Sequence, residues 1–164
     1  MKRAVLRLAL LILPAALGAQ DTSRTFRYDG NGAVFFSAGA CQHRYLNVGV
    51  GMAGEGFIWR GLTLGGEAGY YRFPADRSAG YGVLMFGPGY HFVNRNKHAK
   101  LDPFLKVGII GAALGSKRVA GAGGFGAGLN YWFRERIGLQ TGFQLQVLSA
   151  EEVIGAFRIG LTFR

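Results

Sequence analysis

From Val153 to the end of the chain the hydrophobic positions alternate: Val153, Phe157, Ile159, Leu161 and Phe163 fall on one face, and Arg158, Gly160, Thr162 and Arg164 on the other. A period of two is that of a β-strand, whose side chains point in turn to opposite faces of a sheet. The same alternation runs through residues 136–149, where Ile137, Leu139, Phe143, Leu145 and Val147 oppose Gly138, Gln140, Gly142, Gln144 and Gln146. Glutamines on one face need hydrogen-bond partners, so that face predicts a polar interior and the other a lipid-facing exterior. Phe125, Leu129, Tyr131 and Phe133 against Gly124, Gly126, Gly128 and Asn130 repeat the pattern. So do Leu46, Val48, Val50 and Met52 against Asn47, Gly49, Gly51 and Glu55.

Eight amphipathic segments fit the chain at intervals of roughly 18 residues: 30–40, 43–57, 60–72, 79–93, 102–115, 118–133, 136–149 and 152–164. The first, third, fourth and fifth alternate less cleanly. Closed barrels are the only sheets that satisfy their backbone inside a bilayer, and eight is the smallest common strand number for one. The pattern predicts an all-β fold, an eight-stranded antiparallel up-and-down transmembrane barrel over residues 30–164. Counting strands places the turns near Arg60, Asn96 and Glu135 in the periplasm and those near Gln42, Asp76, Ser116 and Glu151 outside. Asn94 to Lys100 is the longest polar connection, and Phe133-Arg134-Glu135-Arg136 is a tight turn.

Aromatic residues gather at the ends of these segments. Phe57, Trp59, Tyr90, Phe92, Phe104, Tyr131, Trp132, Phe133 and Phe163 fall at the periplasmic rim, and Tyr70, Tyr71 and Phe73 at the outer one. Amphipathic rings favour the headgroup layer, so Trp59, Tyr90, Phe92, Tyr131, Trp132 and Phe133 are expected to form an aromatic girdle.

Residues 1–19 carry Lys2, Arg3 and Arg7, an apolar run from Leu8 to Leu13, and a small-residue region ending at Ala19. That order predicts a secretory signal peptide, followed by a short segment over 20–29. The apolar run is too short to span a bilayer as a helix. Without the signal the chain keeps 16 basic and 9 acidic residues. The basic residues are scattered at turns and strand ends, which argues against a nucleic-acid stripe. The 28 glycines and 13% aromatic content suit short strands with tight interior packing.

Other motifs carry little chemistry. Cys41 is the single cysteine, so no internal disulfide is expected, and Ala38-Gly39-Ala40 before it lacks the apolar region of a lipoprotein signal. Gly121 to Gly126 matches GxGxxG, but Leu129 to Phe133 continues as strand where a nucleotide-binding fingerprint needs a helix. Small outer-membrane barrels that deacylate lipid A pair a histidine with a serine two residues on; here His43, His91 and His98 are followed by other residues and read as surface or rim histidines. No cluster has the spacing of a metal site, and no cofactor is expected. By parity Glu55, Glu67, Lys106 and Arg158 point inward, where eight strands leave room for side chains and little for a channel. Position along the strands predicts that Glu67 pairs with Arg158 at mid-height and Glu55 with Lys106 nearer the periplasm, plugging the lumen, with exchange of partners by shear and solvated charges in a wet lumen as the alternatives.

Asp102-Pro103-Phe104-Leu105-Lys106-Val107-Gly108, the Gly124-to-Gln146 hairpin and the aromatic end of the last segment resemble the small eight-stranded outer-membrane β-barrel family that includes the membrane domain of outer membrane protein A. The resemblance covers about residues 30–164. It implies a Gram-negative outer membrane reached by Sec export, with lipid, the barrel-assembly machinery and periplasmic chaperones as partners. Phe157, Ile159, Leu161 and Phe163 would form the assembly-signal strand, although here Arg164 follows the terminal aromatic. The leading expectation is a non-enzymatic structural or interaction barrel with a narrow, side-chain-filled lumen. The alternatives are a small-solute porin-like channel, a lipid-modifying barrel enzyme, and a soluble ligand-binding barrel with its apolar face turned inward.

Overall fold

The computed structural model describes residues 30–41, 46–74, 76–92, 100–115, 119–148 and 152–164, with the side chains of residues 76–79 excepted. Among the described residues nine strands follow one another: β1 (Gly30–Cys41), β2 (Leu46–Trp59), β3 (Leu62–Phe73), β4 (Asp76–His91), β5 (Leu101–Gly108), β6 (Ile110–Gly115), β7 (Val119–Trp132), β8 (Ile137–Leu148) and β9 (Glu152–Phe163). Each pairs antiparallel with its neighbours, and β9 pairs with β1 from Phe163 opposite Gly32 to Ile154 opposite Cys41. The sheet therefore closes on itself and leaves no free edge.

β5 and β6 are two halves of one stave, so nine strands make an eight-stranded barrel. The register on β4 moves from Gly89 opposite Lys106 to Phe86 opposite Ile110, which leaves Ile109 as an extra residue. This is a β-bulge: Ile109 and Ile110 both face outward, and the alternation resumes one residue out of step. A second irregularity, between Phe57 and Trp59 of β2, places Ile58 and Trp59 side by side on the outside. The predicted 102–115 segment thus contains a break that a period-two reading passes over.

One end carries the start of β1 and the finish of β9 and is called proximal here; the other is distal. The proximal β2–β3 connection is the two-residue turn Arg60-Gly61, with φ of 43° and 97°. Positive φ at both positions matches the right-handed twist of the flanking strands.

The two faces of the wall differ as the alternation requires. Val34, Phe36, Val50, Met52, Leu84, Phe86, Phe125, Phe143, Phe157, Ile159, Leu161 and Phe163 are exposed on the outside. Asn47, Thr63, His91, Asp102, Asn130, Gln140, Gln144, Gln146 and Thr162 are buried inside. Polar side chains in the centre and apolar ones outside invert the usual arrangement of a soluble barrel. Inward glycines let large side chains cross the bore: a Cβ on Gly51 would lie 2.6 Å from the Phe35 ring, and one on Gly69 2.8 Å from the Tyr71 ring. Gly121 to Gly126 lies within β7, which runs on to Trp132 with no helix after it.

Candidate functional site: a filled lumen

The proximal part of the lumen is built around His91, the last residue of β4. Its neighbour across the ladder is Phe104 of β5, and Asp102, two residues earlier on β5, points to the same interior. His91 Nδ1 lies 2.9 Å from both carboxylate oxygens of Asp102, and Nε2 lies 3.0 Å from Oε1 of Glu55 on β2. An imidazole donates from both nitrogens only as the imidazolium, so the arrangement is fully satisfied by a cation between two carboxylates. Lys106 Nζ, 2.9 Å from the same Glu55 oxygen, supplies a second positive charge. Thr63 Oγ1 donates to Glu55 Oε2 at 2.8 Å, Asn130 Nδ2 to Asp102 Oδ2 at 3.1 Å, and Gln140 Nε2 to Asn130 Oδ1 at 3.0 Å. Phe57 meets the imidazole edge-on and Phe104 stacks on it. Residues from β2, β3, β4, β5, β7 and β8 thus meet in one network.

At mid-height Arg158 of β9 reaches across to Glu67 of β3. Two parallel bonds join them, Nη1 to Oε2 at 2.7 Å and Nη2 to Oε1 at 2.8 Å, the fork geometry that suits guanidinium and carboxylate. Gln144 Nε2 donates to Glu67 Oε1 at 2.6 Å, and Arg158 Nη2 also donates to the Tyr71 hydroxyl at 3.0 Å. The guanidinium lies 3.9 Å from the centre of the Phe35 ring. Between this pair and the proximal network is a cavity of about 60 Å³ lined by Glu55, Glu67, Lys106, Gln140, Gln144 and Arg158. That is room for a few water molecules.

Toward the distal end the chemistry changes. Tyr71 and Tyr81 stack with ring centres 5.4 Å apart, Phe73 stacks on Tyr81, and Asn47 Nδ2 donates to the Tyr81 hydroxyl at 3.0 Å. Cys41, Val83, Met85, Ala113, Ala122, Leu148 and Ile154 complete an apolar cluster.

The four charges expected inside are therefore together in two pairs, Glu67 with Arg158 and Glu55 with Lys106. Phe157, Ile159, Leu161 and Phe163 line the outer face of β9. The girdle needs correction. Trp59, Tyr131 and Phe133 are exposed outside, and Tyr90 meets Phe92 edge-on at 5.0 Å. Trp132, however, is 3% exposed and sits inside under the Arg164 guanidinium, 4.1 Å from its ring. Phe57, Phe104, Tyr71 and Phe73 also face the lumen. Height along a strand sets the rim, but parity sets the face: Trp132 shares its face with Asn130, and Tyr71 with Glu67.

His91 is likewise not a rim histidine, being 2% exposed. Parity groups it with Tyr81, Val83 and Met85, a row as apolar as the one opposite, so alternation along β4 carries no facing signal for it. Since His91 commits both nitrogens to carboxylates, it has none left to activate a hydroxyl. His43, His98 and the 94–100 connection, apart from Lys100, lie outside the described residues. Among the described residues no cluster of His, Cys, Asp and Glu has the arrangement of a metal site.

No protein-family model matches the chain, and no curated protein sequence is detectably similar to it. Solved structures are similar in fold. Neisserial surface protein A matches with a TM-score of 0.60 and 11% identity, over 82% of this chain and 94% of its own. The N-terminal β-barrel domain of Pseudomonas aeruginosa OprF matches at 0.59 and 16%, over 82% and 98%. The outer membrane enzyme PagL matches at 0.56 and 20%, over 80% and 98%. This chain has the fold of the small eight-stranded outer-membrane β-barrels.

Proposed function

We propose that the protein is an integral outer-membrane barrel of a Gram-negative bacterium, exported through Sec, with a non-enzymatic structural or interaction role and a lumen closed to solutes. The observation that carries this reading is the Glu67–Arg158 fork across the bore, braced by Phe35, Tyr71 and Gln144. The apolar exterior supports a lipid surround, because a water-soluble barrel would gain nothing from an outer wall of Phe, Leu and Ile. The proximal end would face the periplasm. In this reading the outward row Phe157, Ile159, Leu161 and Phe163 also addresses the barrel-assembly machinery. His91, held by two carboxylates and facing away from lipid, argues against lipid-modifying chemistry at that residue.

The deciding experiment is conductance of the folded protein in planar bilayers. Electrical silence is the expected result, from a preparation whose folded and boiled forms migrate differently on a gel. Steady ion conductance by such a preparation would replace the closed-lumen reading with a small-solute channel.

A further inference from the structure

Among the described residues the two rims differ in charge. Every proximal connection with described residues carries a cation: Arg60 between β2 and β3, Lys100 before β5, and Arg134 and Arg136 between β7 and β8. Arg164 follows β9, where its Nε donates to the Glu135 carbonyl at 2.8 Å. Against these, Glu135 is the one solvent-facing carboxylate among the described proximal residues. The described side chains at the distal rim include one charge of each sign, Arg72 and Glu152.

The proximal cations also stand beside outward aromatics. Trp59 is 63% exposed, with the Arg60 guanidinium 4.9 Å from its ring, and the exposed Tyr131 and Phe133 come just before Arg134 in the chain. Arg60 occupies a left-handed conformation that residues with a Cβ rarely adopt and that Asn or Gly fills more readily, which points to use of its charge.

Resting on the membrane-spanning reading above, we infer that the proximal rim is a binding surface for anionic phospholipid headgroups. Arg60, Lys100, Arg134 and Arg136 meet the phosphates, and Trp59, Tyr131 and Phe133 sit at the boundary between headgroup and acyl chain. A soluble acidic partner would satisfy the cations alone. The continuity of the cations with exposed rings and the apolar wall fits lipid, which offers both chemistries at one depth. Attraction of this kind acts over about a Debye length and weakens with salt.

The test uses Trp59 as reporter, with the lumenal Trp132 as background. The folded protein is placed in vesicles mixing phosphatidylcholine with phosphatidylglycerol, one or the other carrying bromine on its acyl chains to quench nearby tryptophan. The expected result is a preference for brominated phosphatidylglycerol of about threefold or more at low salt. It should fall close to one in an Arg60→Gln, Arg134→Gln, Arg136→Gln variant whose heat-shifted gel mobility shows that it folds. With Trp59→Phe and Tyr70→Trp the reporter moves to the distal half and should show no preference.

Equal quenching by both lipids in the parent would overturn the inference and favour a soluble acidic partner. A preference that survives the triple substitution, or appears equally at position 70, would also overturn it. Quenching by neither lipid would remove the membrane-spanning reading itself, a distinct failure.

Discussion

The proximal and distal halves of the lumen close the same tube by opposite means. The proximal half uses directional bonds: His91, Asp102, Glu55, Lys106, Thr63, Asn130 and Gln140 are satisfied as a set. The distal half uses volume, with Tyr71, Tyr81 and Phe73 stacked among Ile154, Leu148, Val83 and Met85. Buried ions are costly unless paired, so the proximal closure depends on every member being present. Close-packed apolar groups lose in proportion to what is cut away and the void it leaves, so the distal closure should fail by degrees. Arg158 joins the two, bonded on one side to the Glu67 carboxylate and on the other to the Tyr71 hydroxyl.

That junction should show the largest effect. Arg158→Met leaves the Glu67 carboxylate without its cation, and breaking a buried pair in this way costs about 3–5 kcal/mol. Urea unfolding of the folded protein in vesicles measures it. Pairing the change with Glu67→Gln should recover part of the loss, because the stranded charge goes with it. A cost below about 0.5 kcal/mol for the single change, the range usual for surface positions, would mean that the lumen is wet at mid-height.

The next two substitutions set the halves against each other. Ile154→Ala, at a fully buried distal position, removes methylene groups and leaves a void, for about 3 kcal/mol. Ile154→Val should cost about 1 kcal/mol, the graded response expected of packing. Asp102→Asn keeps the proximal shape but removes a charge while His91 retains Glu55, for about 1–3 kcal/mol. Asn at position 102 preserves volume, so a loss there reports bonding and not packing. If Ile154→Val proved as costly as Ile154→Ala, the graded picture of the distal half would be wrong.

The same contrast explains what could be read from the chain. Where the interior is polar, alternation with an apolar exterior is strong: β8 and β9 declare their faces through Gln140, Gln144, Gln146 and Arg158, and the inward charges follow by parity. Where the interior is apolar, the signal cancels. β4 reads Tyr81-Gly82-Val83-Leu84-Met85-Phe86, greasy on both faces, so its facing was ambiguous and His91 at its end could not be placed inside. The bulge at Ile109 hid the phase of the fifth segment in a similar way. The Glu67–Arg158 pair is legible because each is the one charge at mid-strand on a face of small or polar residues. The His91 network was not, because it depends on the relative height of β2, β4 and β5.

The smallest effect should come from the space between the halves. Gly126 of β7 faces the cavity near Lys106 and Gln144, and a Cβ there would find only the Phe143 carbonyl oxygen, at 3.8 Å. Gly126→Ala therefore adds a methyl group to open volume and restricts the unfolded chain, so it should be neutral or stabilising by up to about 1 kcal/mol. The comparison is Gly69→Ala in the distal half, where the new Cβ would press on the Tyr71 ring that Arg158 holds in place. Overpacking of that kind costs about 1–3 kcal/mol. The pair uses one chemical change on one type of strand residue, so the difference isolates the local packing of the lumen. Equal and unfavourable urea midpoints for the two variants would show that the cavity collapses in solution, and that the two closures act as a single packed core.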